Sequence, residues 1–403
     1  LFENGRPYDK LSARDVVFTI KSFALCQDAL PMRRTVSLLA VFVVLVLGFE
    51  CGMLHAVEED GFQPLCNGRD LTGWVLVNTP PQTWSFEDGM LICTGKPVGE
   101  IRTDRMYQNF IMEVEWRHMV PKGNAGIFVW ADDITAKGVP FHRGIEVQIL
   151  ENAYGQSQHH TTHGDIFPIH GATMAPINGR GGSRAFPTEE RSKPLPEWNH
   201  YRIECNDGNI SLAVNGAVVT RGTNASPRKG YICVESEGGV VHYRNMKIKE
   251  LPETPVDADH VAISNRGYRS IYTGLDLSGW TPTSSGQAHW HAQDWVLSYD
   301  GKLTPADAIL TSAEALNDMG FLFDLRPGKE FNGFSLCGKI VTDGLKSGQW
   351  SRIEGTVRGG KLAVTIDGQL ALKDHPVPEA SKLELAPSGA ADFANIYVRS
   401  LTE

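Results

Sequence analysis

Three stretches of this chain occur twice, in the same order, and no other feature limits its fold as much. Asn67-Gly68-Arg69-Asp70-Leu71-Thr72-Gly73-Trp74 is matched by Thr273-Gly274-Leu275-Asp276-Leu277-Ser278-Gly279-Trp280. Trp198, Arg202-Ile203-Glu204 and Ile210-Ser211-Leu212-Ala213-Val214-Asn215-Gly216 are matched by Trp350, Arg352-Ile353-Glu354 and Leu362-Ala363-Val364-Thr365-Ile366-Asp367-Gly368. Tyr243-Arg244-Asn245-Met246-Lys247-Ile248 parallels Phe393-Ala394-Asn395-Ile396-Tyr397-Val398. A repeated beginning, middle and end predicts two like domains in tandem. We place the first at 57–252, a linker at 253–266 and a shorter, degenerate second copy at 267–403.

The local pattern within each copy is strand and turn. Ile210 to Val214 alternates and meets Asn215-Gly216, a strong hairpin signal, and Leu362 to Ile366 before Asp367-Gly368 repeats the device. Phe110, Met112, Val114 and Trp116 share one face of a strand, Gly126 to Trp130 reads as a buried strand, and Val240 to Lys249 as a closing one. The 41 Gly and 22 Pro favour turns. No segment after residue 56 carries a long, capped helical period. The prediction is an all-β chain of two β-sandwiches. Trp74, Trp198, Trp280 and Trp350 recur at equivalent places and are expected to pack structurally.

A net charge of −9 with no dense basic run disfavours a nucleic-acid partner, because phosphate binding needs a basic footprint. Met32-Arg33-Arg34, the apolar run Leu38 to Phe49 and the small and polar residues up to Ala56 have the layout of a secretory signal peptide. Residues 1–56 are therefore read as an N-terminal extension plus signal peptide, with 1–31 outside the fold argument, and the protein as secreted or periplasmic. The apolar run is short of the ~20 residues a spanning helix needs, so a membrane enters only through an uncleaved signal anchor. Cys66, Cys93, Cys205, Cys233 and Cys337 follow that segment without a CxxC pair, which fits small buried hydrophobes better than a zinc ribbon.

The first copy is longer because of residues between the Phe110–Trp116 strand and Trp198, and that insert holds the densest polar chemistry. In Gly144-Ile145-Glu146-Val147-Gln148-Ile149-Leu150-Glu151, Glu146 and Gln148 project from one face, about 7 Å apart. Ile145, Val147 and Ile149 are expected in the core. Glu151 has the other parity and reaches the polar face only through a bulge or a strand end. The plain alternative is a strand with one solvated face. His142, His159, His160, His163 and His170 crowd the insert, with Arg143, Tyr154 and Asp165. Such a loop can shape a sugar site, and His159-His160-x-x-His163 could instead be a metal cluster, although no helical spacing supports it. Trp130 and Tyr154 are candidate stacking platforms for a pyranose.

Leu65 to Trp74, Trp84-x-x-x-x-Gly89, Asn124-Ala125-Gly126-Ile127-Phe128, Glu146-Val147-Gln148-Ile149, Trp198-Asn199 and Tyr243-Arg244-Asn245-Met246 together resemble the 3-keto-disaccharide hydrolase domain family. The resemblance covers Gly61 to Pro252; the second copy is similar only at its ends. It implies a concanavalin A-like jelly roll with a concave sugar-binding face, and glycosides oxidised at carbon 3 as substrates. Ala125 stands where the family often has Ser, and Glu151 where it often has Asp. The Glu146-x-Gln148-x-x-Glu151 spacing is also similar to the Glu-x-Asp-x-x-Glu strand of laminarinase-type β-glucanases, where the outer pair are nucleophile and acid/base. We therefore nominate Glu146, Glu151 and His163 for catalysis and Gln148, Asn124, Trp130, Arg143, Tyr154, Asp165 and His170 for substrate contact. A carbohydrate is the expected partner; the sequence makes no cofactor certain, and a divalent metal could supply the electrophile. A non-catalytic lectin-like binder is the alternative from another class.

Overall fold

The computed structural model describes residues 61–401 except 265, 317, 337, 343, 379 and 380. The signal-peptide reading, Cys26, Cys51 and Cys337 lie outside the described residues. The all-β expectation holds. Strands from Gln63–Pro64 to Val241–Glu250 build a nine-stranded and a six-stranded antiparallel sheet, and those from Arg269–Ser270 to Ala391–Ser400 build sheets of eight and five. Each pair encloses its own core. Phe110, Met112, Val114 and Trp116 face inward from Phe110–His118 and meet Ile145, Val147 and Ile149. Phe321, Phe323 and Phe393 centre the second core. Asn215-Gly216 and Asp367-Gly368 form the two-residue turns, with positive φ at all four positions.

The six-stranded sheet positions the chemistry. Its order is Trp74–Val77, Gly99–Thr103, Tyr231–Ser236, Asn124–Ala131, Gly144–Leu150 and Ile166–Ile169. The inner face of Gly144–Leu150 packs into the core as its alternation requires. The whole strand is buried, so the polar side is covered as well, contrary to the solvated-face alternative.

The eight-stranded sheet of the second sandwich turns its outer face to the first. Val77 and Ile134 pack with Tyr268, Leu322 and Tyr397. Around them lies a polar clamp on the loop joining Asn124–Ala131 to Gly144–Leu150. Asp324 accepts from Gly138 N–H (2.8 Å), from Arg352 Nε (2.8 Å) and from Asn395 Nδ2 (2.7 Å). Asn395 also donates to Ala136 O (3.2 Å) and Val139 O (3.0 Å), and Arg352 to Thr135 O (3.0 Å).

Of the four repeated tryptophans, Trp74 and Trp280 are core residues as expected, while Trp198 and Trp350 are half-buried. Trp198 is held between the guanidiniums of Arg117 and Arg244, and Trp350 lies against Gly138. Cys93, Cys205 and Cys233 are buried free thiols and Cys66 is a partly buried one.

Candidate functional site

Antiparallel pairing fixes which side chains meet on the outer face of the six-stranded sheet. Glu146 lies opposite Phe128 and Gln148 opposite Gly126, while Glu100 lies opposite Glu235 and Asn124 bridges to Glu237. The face divides in two. Phe128, Ala131 and Cys233 form an apolar patch closed by Phe141 and Ile169. Beside it Glu146, Gln148, Asn124, Glu235 and Glu237 form a polar floor.

Gly126 makes that floor feasible. A Cβ there would lie 2.6 Å from Glu235 Oε2 and 3.0 Å from Glu146 Oε1, so both carboxyls crowd the space over the glycine. Gly126→Ala should cost about 1–3 kcal/mol by overpacking, read as a lower denaturant midpoint. A midpoint equal to the parent's would show that the carboxyls have room to part.

Among the described residues no side chain hydrogen-bonds the Glu146 carboxyl, and it is 6 % exposed, as is Gln148. Gln148 Nε2 donates to Asn124 Oδ1 (2.9 Å), and Asn124 Nδ2 donates in turn to Glu237. The acidity of the cluster is self-reinforcing. Burial pushes Glu146 well above the usual carboxylate range, the charges of Glu237, Glu100 and Asp165 push the same way, and Arg184 opposes them. Glu235 is raised by burial, then by Glu146, Glu237 and Glu100. Glu237 is raised from 4.5 to about 7, chiefly by burial, against the Asn124 bond. Between those values the folded chain holds a proton at Glu237 that the unfolded chain has released. This group therefore removes stability as pH rises through that window.

The nominated residues separate. Glu146, Gln148 and Asn124 come together as proposed. Glu151 does not join them: the strand ends at Leu150, and the Glu151 carboxyl accepts from Lys122 N–H (2.8 Å) and Ala153 N–H (2.9 Å), capping the turn Asn152–Tyr154. His163 is a loop tie, its Nδ1 accepting from Ser192 N–H (3.3 Å), and burial lowers its pKa. Trp130 cannot stack on a sugar; it is fully buried in the core and donates Nε1–H to Gln108 O (2.8 Å). Asp165 is fully buried and paired with Arg184 (2.9 Å), so it reaches Glu146 only as a charge. Arg143 is paired with Asp132 (2.8 Å). Tyr154 is 44 % exposed, with its ring edge-on to His160, and His170 is an exposed turn residue with φ 52°.

His159, His160 and His163 form no cluster: His160 Nδ1 meets Ser157 Oγ (2.9 Å) while His163 turns to Ser192. Glu100, His142 and Cys233 converge instead, with their ligand-type atoms within 4.8 Å of one another. His142 Nδ1 is already engaged by the Glu100 carboxyl and sits 3.7 Å from Cys233 Sγ, so the trio is a buried hydrogen-bonded group and is assigned no metal.

Glu100, Glu235, Glu237 and Arg184 were absent from the nominated set. The signal for them was alternation: Glu235 and Glu237 in Val234-Glu235-Ser236-Glu237, and Glu100 in Gly99-Glu100-Ile101, repeat the acidic-apolar pattern of the Glu146 strand.

Residues 61–249 match the family model described as "3-keto-alpha-glucoside-1,2-lyase-like domain". No curated protein matches the chain. Among solved structures, a Parabacteroides distasonis protein provisionally described as a glycosyl hydrolase is 22% identical, covering 48% of this chain and 94% of its own, with a TM-score of 0.37. The carbohydrate-binding module CBM66 from Bacillus subtilis is 12% identical over 44% of this chain and 95% of its own, with a TM-score of 0.31. SCLam, a non-specific endo-β-1,3(4)-glucanase of family GH16, is 13% identical over 48% and 92%, with a TM-score of 0.33. At these identities and scores the likenesses carry no inference about activity. The family match and the repeated strand pattern agree on the segment concerned: the first sandwich, over residues 61–249, is similar to the 3-keto-alpha-glucoside-1,2-lyase-like domains.

Proposed function

We propose that the chain is an exported carbohydrate-active enzyme that cleaves glycosides oxidised at carbon 3, with the outer face of the six-stranded sheet as its active site. The observation that carries this reading is the Glu146 carboxyl, all but buried at 6 % exposure, without a side-chain hydrogen bond among the described residues, and raised first by burial and then by its acidic neighbours. A carboxyl in that state suits proton transfer near neutral pH.

A ketone at carbon 3 acidifies the hydrogen on carbon 2. Glu146 takes that proton, the C2–H electron pair becomes the C1–C2 double bond, and the C1–O pair leaves with the glycosidic oxygen. That oxygen takes a proton from Glu237, which titrates near 7. Water then adds at carbon 1, carbon 2 recovers its proton, and the sum is hydrolysis. Gln148 and Asn124 fix Glu237 and can orient hydroxyls. Direct retaining hydrolysis needs two carboxyls ~5 Å apart, and Glu151, spent on backbone amides, is a poor partner for it.

The deciding assay sets the processed protein against a 3-keto-disaccharide and its unoxidised parent. Cleavage of the keto form alone is expected. Cleavage of both would favour glucanase-like hydrolysis, and binding without cleavage a lectin. Glu151→Ala should cost about 1 kcal/mol of stability as a lost cap while turnover stays at the parent level. A hundredfold loss of turnover in that variant would return Glu151 to the catalytic pair.

A further inference from the structure

Two acidic side chains crowd the space over Gly126 at the base of the site, and one of their oxygens is buried without a hydrogen-bond partner. Glu235 is 1 % exposed, and its Oε2 is fully buried without a hydrogen-bond partner. That oxygen and Glu146 Oε1 are the two carboxyl oxygens that crowd the space over Gly126. The donors nearby are already committed: Asn124 to Glu237, Arg184 to Asp165, and His142 to Glu100. The remaining groups acting on the pair are Cys93 and Tyr243, both themselves buried and raised, so neither brings a positive charge. Two ionised carboxylates side by side without donors, away from water, carry a desolvation cost that nothing offsets.

We infer that Glu146 and Glu235 share one proton across Gly126, with Glu235 as a positioning residue that holds it. The shared proton turns the repulsive pair into a hydrogen bond, as in other carboxyl dyads whose oxygens sit too close for both to ionise. Exposure decides where it rests. Glu235 is sealed and keeps the proton; Glu146 reaches solvent and carries the charge, which is the form a base needs. The Glu235 proton is not consumed: carbon 2 delivers its hydrogen to Glu146, the leaving oxygen is protonated by Glu237, and Glu235 is unchanged at the end. The choice of Glu146 as base rests on the function proposed above; the shared proton does not, because it rests on the crowding over Gly126 and the unpartnered Glu235 oxygen.

The test separates the two. Infrared difference spectra on isotope-labelled protein, recorded above pH 7 where Glu237 is ionised, should show one protonated carboxyl per chain. The signal should vanish in Glu235→Gln and also in Glu146→Gln, because in either variant the new amide supplies the donor and the surviving carboxyl ionises. In parallel, Glu235→Gln should move the acidic limb of the kcat/KM profile toward higher pH, because an amide N–H is a weaker donor to the Glu146 carboxylate than a carboxyl O–H, and the rate below the parent's limb should fall accordingly. No protonated carboxyl in the parent, or a signal that persists in Glu235→Gln, overturns the shared proton. A parent that shows the signal but cleaves no 3-keto substrate overturns the substrate reading and leaves the pair standing. Cleavage by the parent with an unmoved limb in a Glu235→Gln protein of normal melting temperature removes Glu235 from the site while the substrate reading stands.

Discussion

Glu146→Gln should lower turnover on a 3-keto-disaccharide at least a hundredfold while leaving the protein as stable as its parent. The amide keeps the shape of the side chain but cannot take a proton, and a positioned base is typically worth 10²–10⁴ in rate, about 3–5 kcal/mol of barrier. Stability should not follow activity down. Glu146 is buried, without a hydrogen bond, and pushed upward by Glu237 and Glu100, so its charged form is a strain on the fold. Replacing it with a neutral amide removes that strain and gives Glu235 a donor. The melting temperature should hold or rise, and binding of the keto-sugar should persist. Parent-level turnover would take Glu146 out of the mechanism. A collapse of turnover together with the melting temperature would make it a structural residue.

The sequence made the frame legible and the site only partly so. Alternation located the Phe110–His118 and Gly144–Leu150 strands and told inward from outward on both, because a period of two is a local property of the backbone. It placed Glu146 and Gln148 on one face for the same reason. Which other carboxyls stand beside them depends on strand order, and that is not local. Glu100, Glu235 and Glu237 reach Glu146 from strands far apart in the chain, brought level by the pairings of Gly99–Thr103, Tyr231–Ser236 and Asn124–Ala131. Trp130 misled for a related reason. It is an aromatic beside the polar insert, but φ 57° at its own backbone and a bond from its indole to Gln108 O turn it into the core. Glu151 misled through its parity: the strand stops one residue before it, and a carboxyl just past a strand end meets free backbone N–H groups that it is well suited to cap.

Asp324→Ala should destabilise the chain by about 3–5 kcal/mol, a large loss for a substitution well removed from Glu146 in sequence. Asp324 is fully buried and answers three donors at once: the Arg352 guanidinium, the Asn395 amide and Gly138 N–H from the other sandwich. Removing it strands a cation that is only 18 % exposed, and breaking one side of such a pair costs far more than the pair is worth intact. The consequence should travel. The loop held by this clamp runs from Asp132 to Arg143 between two site strands, and it delivers Phe141 to Phe128 and His142 to Glu100. The repeat explains why the second copy can do this. Asn395 is the counterpart of Asn245, both have φ 52°, and Arg352 is the counterpart of Arg202. In the first copy Asn245 spends its amide on Glu115, and in the second Asn395 spends it on a neighbour's loop. The second sandwich then serves as a brace for the site strands, whether or not it also touches sugar. Amide hydrogen exchange at Ala136 and Gly138 should quicken in Asp324→Ala before exchange in the Gly144–Leu150 strand does. A midpoint lowered by less than about 1 kcal/mol, with exchange at Gly138 unchanged, would reduce the clamp to an ordinary surface contact.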